Sequence, residues 1–520
     1  MALNLSRNTK VFVSSVNGVH ASGGSIVTLD GFTAGSGYAV GDVITLGTTS
    51  GSGTGAKCIV AAVSAGGVTE VYIPNNFRGT GYADNDTVTA TLTNGSAHGG
   101  TAFEAVVNGV TSTTTTENSR TALGLFKGNG TDANTFRIGV LDGYSFSQGS
   151  EATDITINEA GSTPNRGSKR FNDSLPPAEW SFGTYVRPYK HGSNSWRSSG
   201  THDMCENILW ASIAGKDITG GSLSGTSQAA VTCDSSDADV TFERSEHHEL
   251  LKLSIFFALE NTTYRLNQCQ VNQAEIDFSI DGIAQITWSG NATTIDQVTT
   301  AIEDPSKTLH AKPAGTDTSV TTATYVEGYN YADSTGPDDA DYLRNKLSTL
   351  TLAVDSSQGG GASSGGLDTR TYDINITGGS ITIANNVTYV TPETLGVVDK
   401  PIGSFTGARQ VSGSLTMYLD TKSNGSNQLL TDLAAATDLV TNSFNMSLFM
   451  GGGSSDTPVV EFDIPKAHLQ VPTIEVADLI STSVEFSGHG TDLLTGDEMT
   501  VKYKGSTSHS DSQYATDYTV

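Results

Sequence analysis

TYRLNQCQVNQAEIDFSIDGIAQITWSGNAT (263–293) and EFDIPKAHLQVPTIEVADLISTSVEFSGHGT (461–491) decide the fold when laid over each other without gaps. Only four positions are identical, yet the pattern coincides: Tyr264 over Phe462, Leu266 over Ile464, Ile276 over Ile474, Ile286 over Val484 and Trp288 over Phe486, followed by a shared Ser-Gly. Apolar residues at every second position make both copies strands with one buried face. The inward positions expected on the inner sheet are Ile276, Phe278, Ile286 and Trp288 in one copy and Ile474, Val476, Val484 and Phe486 in the other. Upstream, LKLSIFFAL (251–259) matches FNMSLFMGG (444–452), and SFGTYV (181–186) matches SLTMYL (414–419). Arg7-Asn8-Thr9-Lys10 before VFVSSV resembles Arg344-Asn345-Lys346 before STLTLAV. Four blocks recur in one order, which predicts an all-β chain with a duplicated β-barrel or sandwich domain. One helix is expected in each half, over 205–215 (CENILWASIAG) and 427–440 (NQLLTDLAAATDLV).

The halves differ in length, and a second repeat explains why. Residues 35–63 align without gaps to 79–107, with twelve of 29 positions identical, including Gly35/Gly79, Gly37/Gly81, Tyr38/Tyr82, Asp42/Asp86 and Gly55/Gly99. Each copy reads as turn, strand, Gly-rich turn, strand. The GxGY segments are no nucleotide loop, because no helix follows to bind a phosphate. Residues 21–118 thus form a small inserted β-domain, ending in the low-complexity tract TSTTTTENS (111–119). The second half carries a 16-residue GGGASSGG loop at the same place, and loops accept insertions cheaply. The expected organisation is a first domain from 1–20 and 119–300, the insert 21–118, a polar linker 301–341, and a second domain 342–520.

Composition agrees. The chain has 520 residues, too many for one core, with 58 Gly and abundant Ser and Thr. Four cysteines without a CxxC pair make no disulfide framework. No stretch approaches the ~18 apolar residues of a membrane helix, and 1–8 lack a signal-peptide layout, so a cytoplasm is the expected place of synthesis. A net charge of −27 excludes a protein that grips nucleic acid by displacing counterions. Chemistry finds little support. His247-His248 would point to opposite faces of a strand. His202, Asp203 and Cys205 lack a second ligand pair at zinc-finger spacing. Asp338, Asp339 and Asp341 belong to the acidic linker. No HExxH or Walker A motif occurs, and GASSG (361–365), inside the Gly-rich loop, makes no GxSxG elbow, so no catalytic, cofactor or metal site is expected.

With the duplicated blocks in hand, the sequence resembles the tail tube proteins, the major tail proteins of long-tailed phages. LSRNTKVFV (4–13) looks like the opening strand of a tube domain, and QVNQAEIDFSIDGIAQITWSGNAT (270–293) looks like its closing strands. LRNKLSTLTLAV (343–354) looks like a second opening. The resemblance implies a virion protein, assembled in the host cytoplasm, with long hairpin loops reaching the next ring. Here these would be 147–178, with Thr153, Asn158, Asn165 and Arg170, and 385–410, with Asn386, Thr391, Lys400 and Arg409. It also implies rings on six tube domains, hence three two-domain chains. The partners are other copies of itself, tail terminator, baseplate or tip and tape-measure proteins, with viral DNA passing through the lumen unbound. The acidity then has two readings: a lumen wall that repels phosphates, or solubility alone.

A different class stays open at this point. Gly-rich β repeats also suit a tail-fibre or baseplate carbohydrate-binding adhesin, although fibres carry many short repeats rather than one duplicated domain. A depolymerase would need convergent carboxylates, and a capsid decoration protein would fit the insert alone.

Overall fold

Side chains on a strand alternate between two faces, so alternating sequence buries one face and wets the other. The computed structural model describes residues 9–14, 26, 28–40, 42–73, 78–91, 101–108, 126–127, 135–156, 168–191, 199–215, 231–242, 250–298, 304–306, 310–311, 342–354, 370–391, 401, 403–435, 443–452, 458–470, 473–475, 481–492, 496–506 and 508–509. Among them regular structure is nearly all strand, with two α-helices, Asn207–Ala214 and Ser426–Ala435. Both helices fall where the sequence expected them; 436–440 lie outside the described residues. The chain divides into two compact units: Met1–Asn17, Lys127–Val298 and Val326–Val520 form one, and Gly18–Phe126 with Thr299–Tyr325 the other.

In the larger unit the two halves pair their strands in the same order. Thr9–Ser14 lies between Thr135–Ile138 and Leu253–Leu259. Ser145–Ser147 pairs with Ala178–Tyr185, which pairs with Gln285–Ala292. Leu253–Leu259 pairs with the start of the long strand Thr262–Ser279, whose far end pairs with Gln285–Ala292, and Thr294–Val298 returns to its start. Gln268, at φ +50°, kinks this strand between its two sheets. The second half repeats each step. Thr349–Val354 lies between Thr371–Ile374 and Phe444–Gly451. Ile376–Ala384 pairs with Gln410–Tyr418, which pairs with Ser481–His489. Phe444–Gly451 pairs with Val459–Leu469, which also meets Ser481–His489 and Thr500–Lys504.

The halves share one sheet because Gln273–Ser279 pairs antiparallel with Gly378–Ala384. Eight strands follow side by side: 145–147, 178–185, 285–292, 270–279, 376–384, 410–418, 481–489 and 473–475. The core face of this sheet carries Trp180, Phe182, Ile276, Phe278, Ile286, Trp288, Ile381, Ile383, Leu415, Val484 and Phe486, all buried. Helix Asn207–Ala214 covers part of it, and every one of its residues is buried. Trp210 meets Trp288 edge to face at 5.1 Å, an arrangement worth about 1 kcal/mol beyond the area it buries.

The shared Ser-Gly shows where gapless alignment slips. Gly290 pairs with Trp180 and Val271, whereas Gly488 pairs with Val411 and Ala467. The sequence overlay set Trp180 against Gly413 and Val271 against Leu469, two residues further on in each case. A slide of two leaves every side chain on its face, so alternation cannot detect it.

Glycines sit opposite large rings where strands meet: Trp180 faces Gly290, Phe278 faces Gly379, and Phe486 faces Gly413. A Cβ on any of these would lie 2.6–2.8 Å from the ring and against a neighbouring backbone carbonyl.

The smaller unit has its own core, with Ile44, Leu46, Cys58, Val60, Tyr82, Val88 and Phe103 among its buried residues. Its two GxGY turns are built alike. Gly35, Gly37, Gly79 and Gly81 all take positive φ, which L side chains rarely adopt. Each turn closes on a buried carboxylate: Asp42 accepts from the Ala39 N–H at 2.9 Å, and Asp86 from the Ala83 N–H at 2.8 Å. The Tyr82 hydroxyl donates to the Leu46 carbonyl at 3.0 Å. The identities Gly, Tyr and Asp in register are therefore turn chemistry.

The ring-on-glycine joint gives a first expectation. Gly379→Ala should cost about 1–3 kcal/mol by overpacking against Phe278, read as a lowered denaturant midpoint. Gly403→Ala, where nothing lies within 4 Å, should change it by less than ~0.5 kcal/mol.

Candidate assembly interface

The wet face of the eight-stranded sheet is chemically uniform. Glu179, Ser181, Glu275, Asp277, Gln285, Thr287, Ser380, Thr382, Ser412, Ser414, Ser483 and Glu485 point there, exposed or half-buried. None of the eight strand segments contains Lys or Arg. Such a wall offers hydroxyls and carboxylates and no cation for a phosphate.

The sheet has two outer strands, Ser145–Ser147 and Thr473–Glu475, each paired on one side among the described residues. Their places in the two halves correspond to those of 376–384 and 270–279, the strands that join the halves. An open edge presents unpaired N–H and C=O groups to another strand.

Two hairpins leave one end of the sheet. Glu151–Thr156 pairs with Ser168–Ser174 between strands 145–147 and 178–185. Thr388–Val390 pairs with Gly403–Phe405 between 376–384 and 410–418. Their described parts expose Ile155, Phe171, Val390 and Phe405. The second hairpin is anchored at its root on the first half. The Tyr389 hydroxyl lies 2.7 Å from the Gln268 carbonyl and 2.9 Å from that of Asn291, and Asn385 donates to Ile213 O at 2.8 Å. Burial holds the Tyr389 phenol well above its ordinary pKa, so it stays a neutral donor.

The residues singled out in the sequence fall as follows. Ile276, Phe278, Ile286, Trp288, Val484 and Phe486 line the core face of the sheet. Ile474 lies on edge strand Thr473–Glu475, and Val476 lies outside the described residues. Thr153 bonds Asp173 across its hairpin, and Arg170 bonds Asp154 at 2.7 Å. Asn386 takes a left-handed φ of +51° and donates to Ala408 O at 2.8 Å. Thr391 directly follows strand Thr388–Val390 and is half-exposed. Arg409 pairs with Glu498 at 2.9 Å and stacks over Phe242 at 4.3 Å, so its cation is committed within the fold. Asn158, Asn165, Lys400, His247, His248, Asp338, Asp339 and Asp341 lie outside the described residues.

The sequence did not reveal the second seam between the halves. Ala238–Thr241 pairs with Thr500–Lys504, and Lys190-His191 run parallel to Ser508-His509. Here the THDMC residues are structural. His202 Nδ1 accepts from the Gly505 N–H at 3.0 Å, and Asp203 accepts from Met204 N at 2.8 Å and Asn207 Nδ2 at 3.2 Å. Burial, with Lys190 and Lys504 nearby, lowers the His202 pKa. No described group of three His, Cys, Asp or Glu could hold a metal. The only advance signal was that three polar residues, His202, Asp203 and Glu206, directly precede an apolar helix.

No family model matches the chain. It is 38% identical over 384 residues to the tail tube protein pb6 of Escherichia phage T5, covering 73% of this chain and 74% of that protein.

At the same seam Trp210 Nε1 donates to the Tyr503 hydroxyl at 2.9 Å, beside fully buried Glu206. Burial pushes the Glu206 carboxyl up to about 8, against the opposing pull of Arg187. A carboxyl whose folded-state pKa is raised binds its proton more tightly when folded. Its stabilisation is complete below about 4.5 and is lost as pH rises through about 8. Glu206→Gln should therefore remove much of the stability loss between pH 5 and 8, on the order of a few kcal/mol. Denaturant midpoints of both proteins at the two pH values measure it.

Proposed function

The chain belongs to the phage tail tube proteins, and on that premise we propose that three copies close a pseudo-hexameric ring whose stack conducts viral DNA. Its work is structural, in the tail of the virion, without catalysis. One observation carries the conduit reading: an eight-stranded sheet whose strands hold no Lys or Arg and whose two outer strands are each paired on one side only among the described residues. DNA carries about one negative charge per 1.7 Å of axis, and a basic wall would hold it at many points together. A wall of hydroxyls with Glu179, Glu275, Asp277 and Glu485 lets it slide.

Ring closure follows from the joint inside the chain. Strand 270–279 of the first half pairs with 376–384 of the second. Thr473–Glu475 of one copy would meet Ser145–Ser147 of the next in the same way, leaving no open edge. Two domains in each chain then supply two of six positions. The halves act as duplicated tube domains, the insert 21–118 is dispensable for this closure, and the loops 147–178 and 385–410, which carry the two hairpins, join successive rings. Tail terminator, baseplate or tip and tape-measure proteins would bound and fill the stack.

Electron microscopy of the purified protein tests the ring: three chains per ring are expected, and six full chains would refute the duplication argument. The lumen is tested separately. The Glu275→Lys/Glu485→Lys double variant should still assemble. Its tubes should retain duplex DNA in a salt-dependent manner, measured by co-sedimentation at low and high salt, whereas unaltered tubes release it.

A further inference from the structure

The end of the sheet opposite the hairpins is also apolar. Ile280 and Ile283, in the turn joining 270–279 to 285–292, are 43% and 41% exposed. Leu347, in the single 3₁₀ turn Asn345–Leu347, is 52% exposed, and Tyr418, closing strand 410–418, is 43% exposed. Strand directions set these residues at one end. Tyr185 faces Gln285, Ser279 faces Gly378, and Tyr418 faces Ser481 there, whereas Ala178 with Ala292 and Ala384 with Gln410 mark the hairpin end. The 3₁₀ turn is tied to the first, since Asn345 N–H donates to Gly282 O at 3.1 Å. Every large apolar side chain exposed among the described residues of the larger unit lies at one of the two ends.

We propose that this turn end is the socket for the hairpins of a second copy of the chain, stacked head to tail. The proposal rests on the ring reading above and names its receiving surface. Three observations favour a copy of the same chain as the occupant. Both apolar ends belong to one sheet, so a translation along its strands brings the hairpin end of one copy onto the turn end of the next. A contact between two different patches related by translation along the strands, unlike the rotation that closes a ring, does not return on itself and generates an open stack. Between the turns lies a cavity of about 60 Å³ lined by Phe278, Ile280, Asn345, Ser348 and Ile376 among others. Asn345 is 7% exposed, and its Oδ1 is buried without a hydrogen-bond partner. A buried acceptor left open is costly, and a donor from an arriving hairpin would complete it once the turn end yields enough to admit it. Apolar anchors around an unfilled polar position are what a specific contact needs at its centre.

Full-length variants separate the two surfaces. Ile283→Asp/Leu347→Asp alters the socket and leaves the hairpins; Phe405→Asp does the reverse. Each alone should give rings of unaltered symmetry that no longer elongate. Mixed, they should form stacks of two rings and no longer, because the intact hairpins of one fit the intact socket of the other. Sedimentation velocity and negative-stain microscopy read ring number directly. Normal elongation of the socket variant, or single rings only in the mixture, overturns the assignment while the rings stand. Failure of the unaltered chain to form rings removes the ring reading, and this proposal with it.

Discussion

Seven residue pairs between Gln273–Ser279 and Gly378–Ala384 hold the rest in place. They turn two half-sheets into one surface with a single wet side. Without them each half would present an open edge at its centre, with donors and acceptors that must find partners or water. Around that ladder the side-chain order follows. Rings and branched residues take the core side, and Ser, Thr, Glu and Asp take the other. Phe278 lies across the seam onto Gly379, so the joint is packed as well as hydrogen-bonded. A second ladder, Ala238–Thr241 with Thr500–Lys504, ties the halves at another place and draws the C-terminal strand into the first half.

Much of this was legible in the amino-acid order. Alternation in 270–293 and 481–489 gave faces that Ile276, Trp288, Val484 and Phe486 occupy in the core. The Gly, Tyr and Asp of the inner repeat, set 44 residues apart as Tyr38 and Tyr82 are, build matching turns. What escaped has a physical reason in each case. Alternation is blind to a shift of two, so Trp180 and Val271 were matched two residues out of register. Arg409 looked like a free loop cation, yet Glu498 and Phe242, 89 and 167 positions away in sequence, engage it. The polar run around His202 lacked a ligand pattern and showed no other role. It is a buried seam, because its partners Tyr503 and Gly505 arrive from the far end of the chain. Pairings across such separations leave no local pattern for a single sequence to display.

Carrying two of the proposed tube domains on one chain changes how assembly depends on concentration. A joint inside the chain forms as the chain folds, without loss of translational freedom, whereas a joint between chains bears that loss each time. In the proposed ring, half the seams are of the first kind. A chain so built should be less prone to fall apart at low concentration than one made of single domains, and its two kinds of seam are free to differ in strength.

The side chains around the glycine joints also have a geometric consequence. Trp180, Phe278 and Phe486 stand on the core side of the sheet, opposite glycines, while smaller hydroxyls and a few carboxylates occupy the wet side. Volume placed on one face of a layer acts as a wedge, and the layer bends toward the thinner face. Glycines are where a β-layer yields most readily to such bending. Residue size alone thus biases this sheet to be concave on its hydroxyl side, as the stave of a hollow cylinder must be.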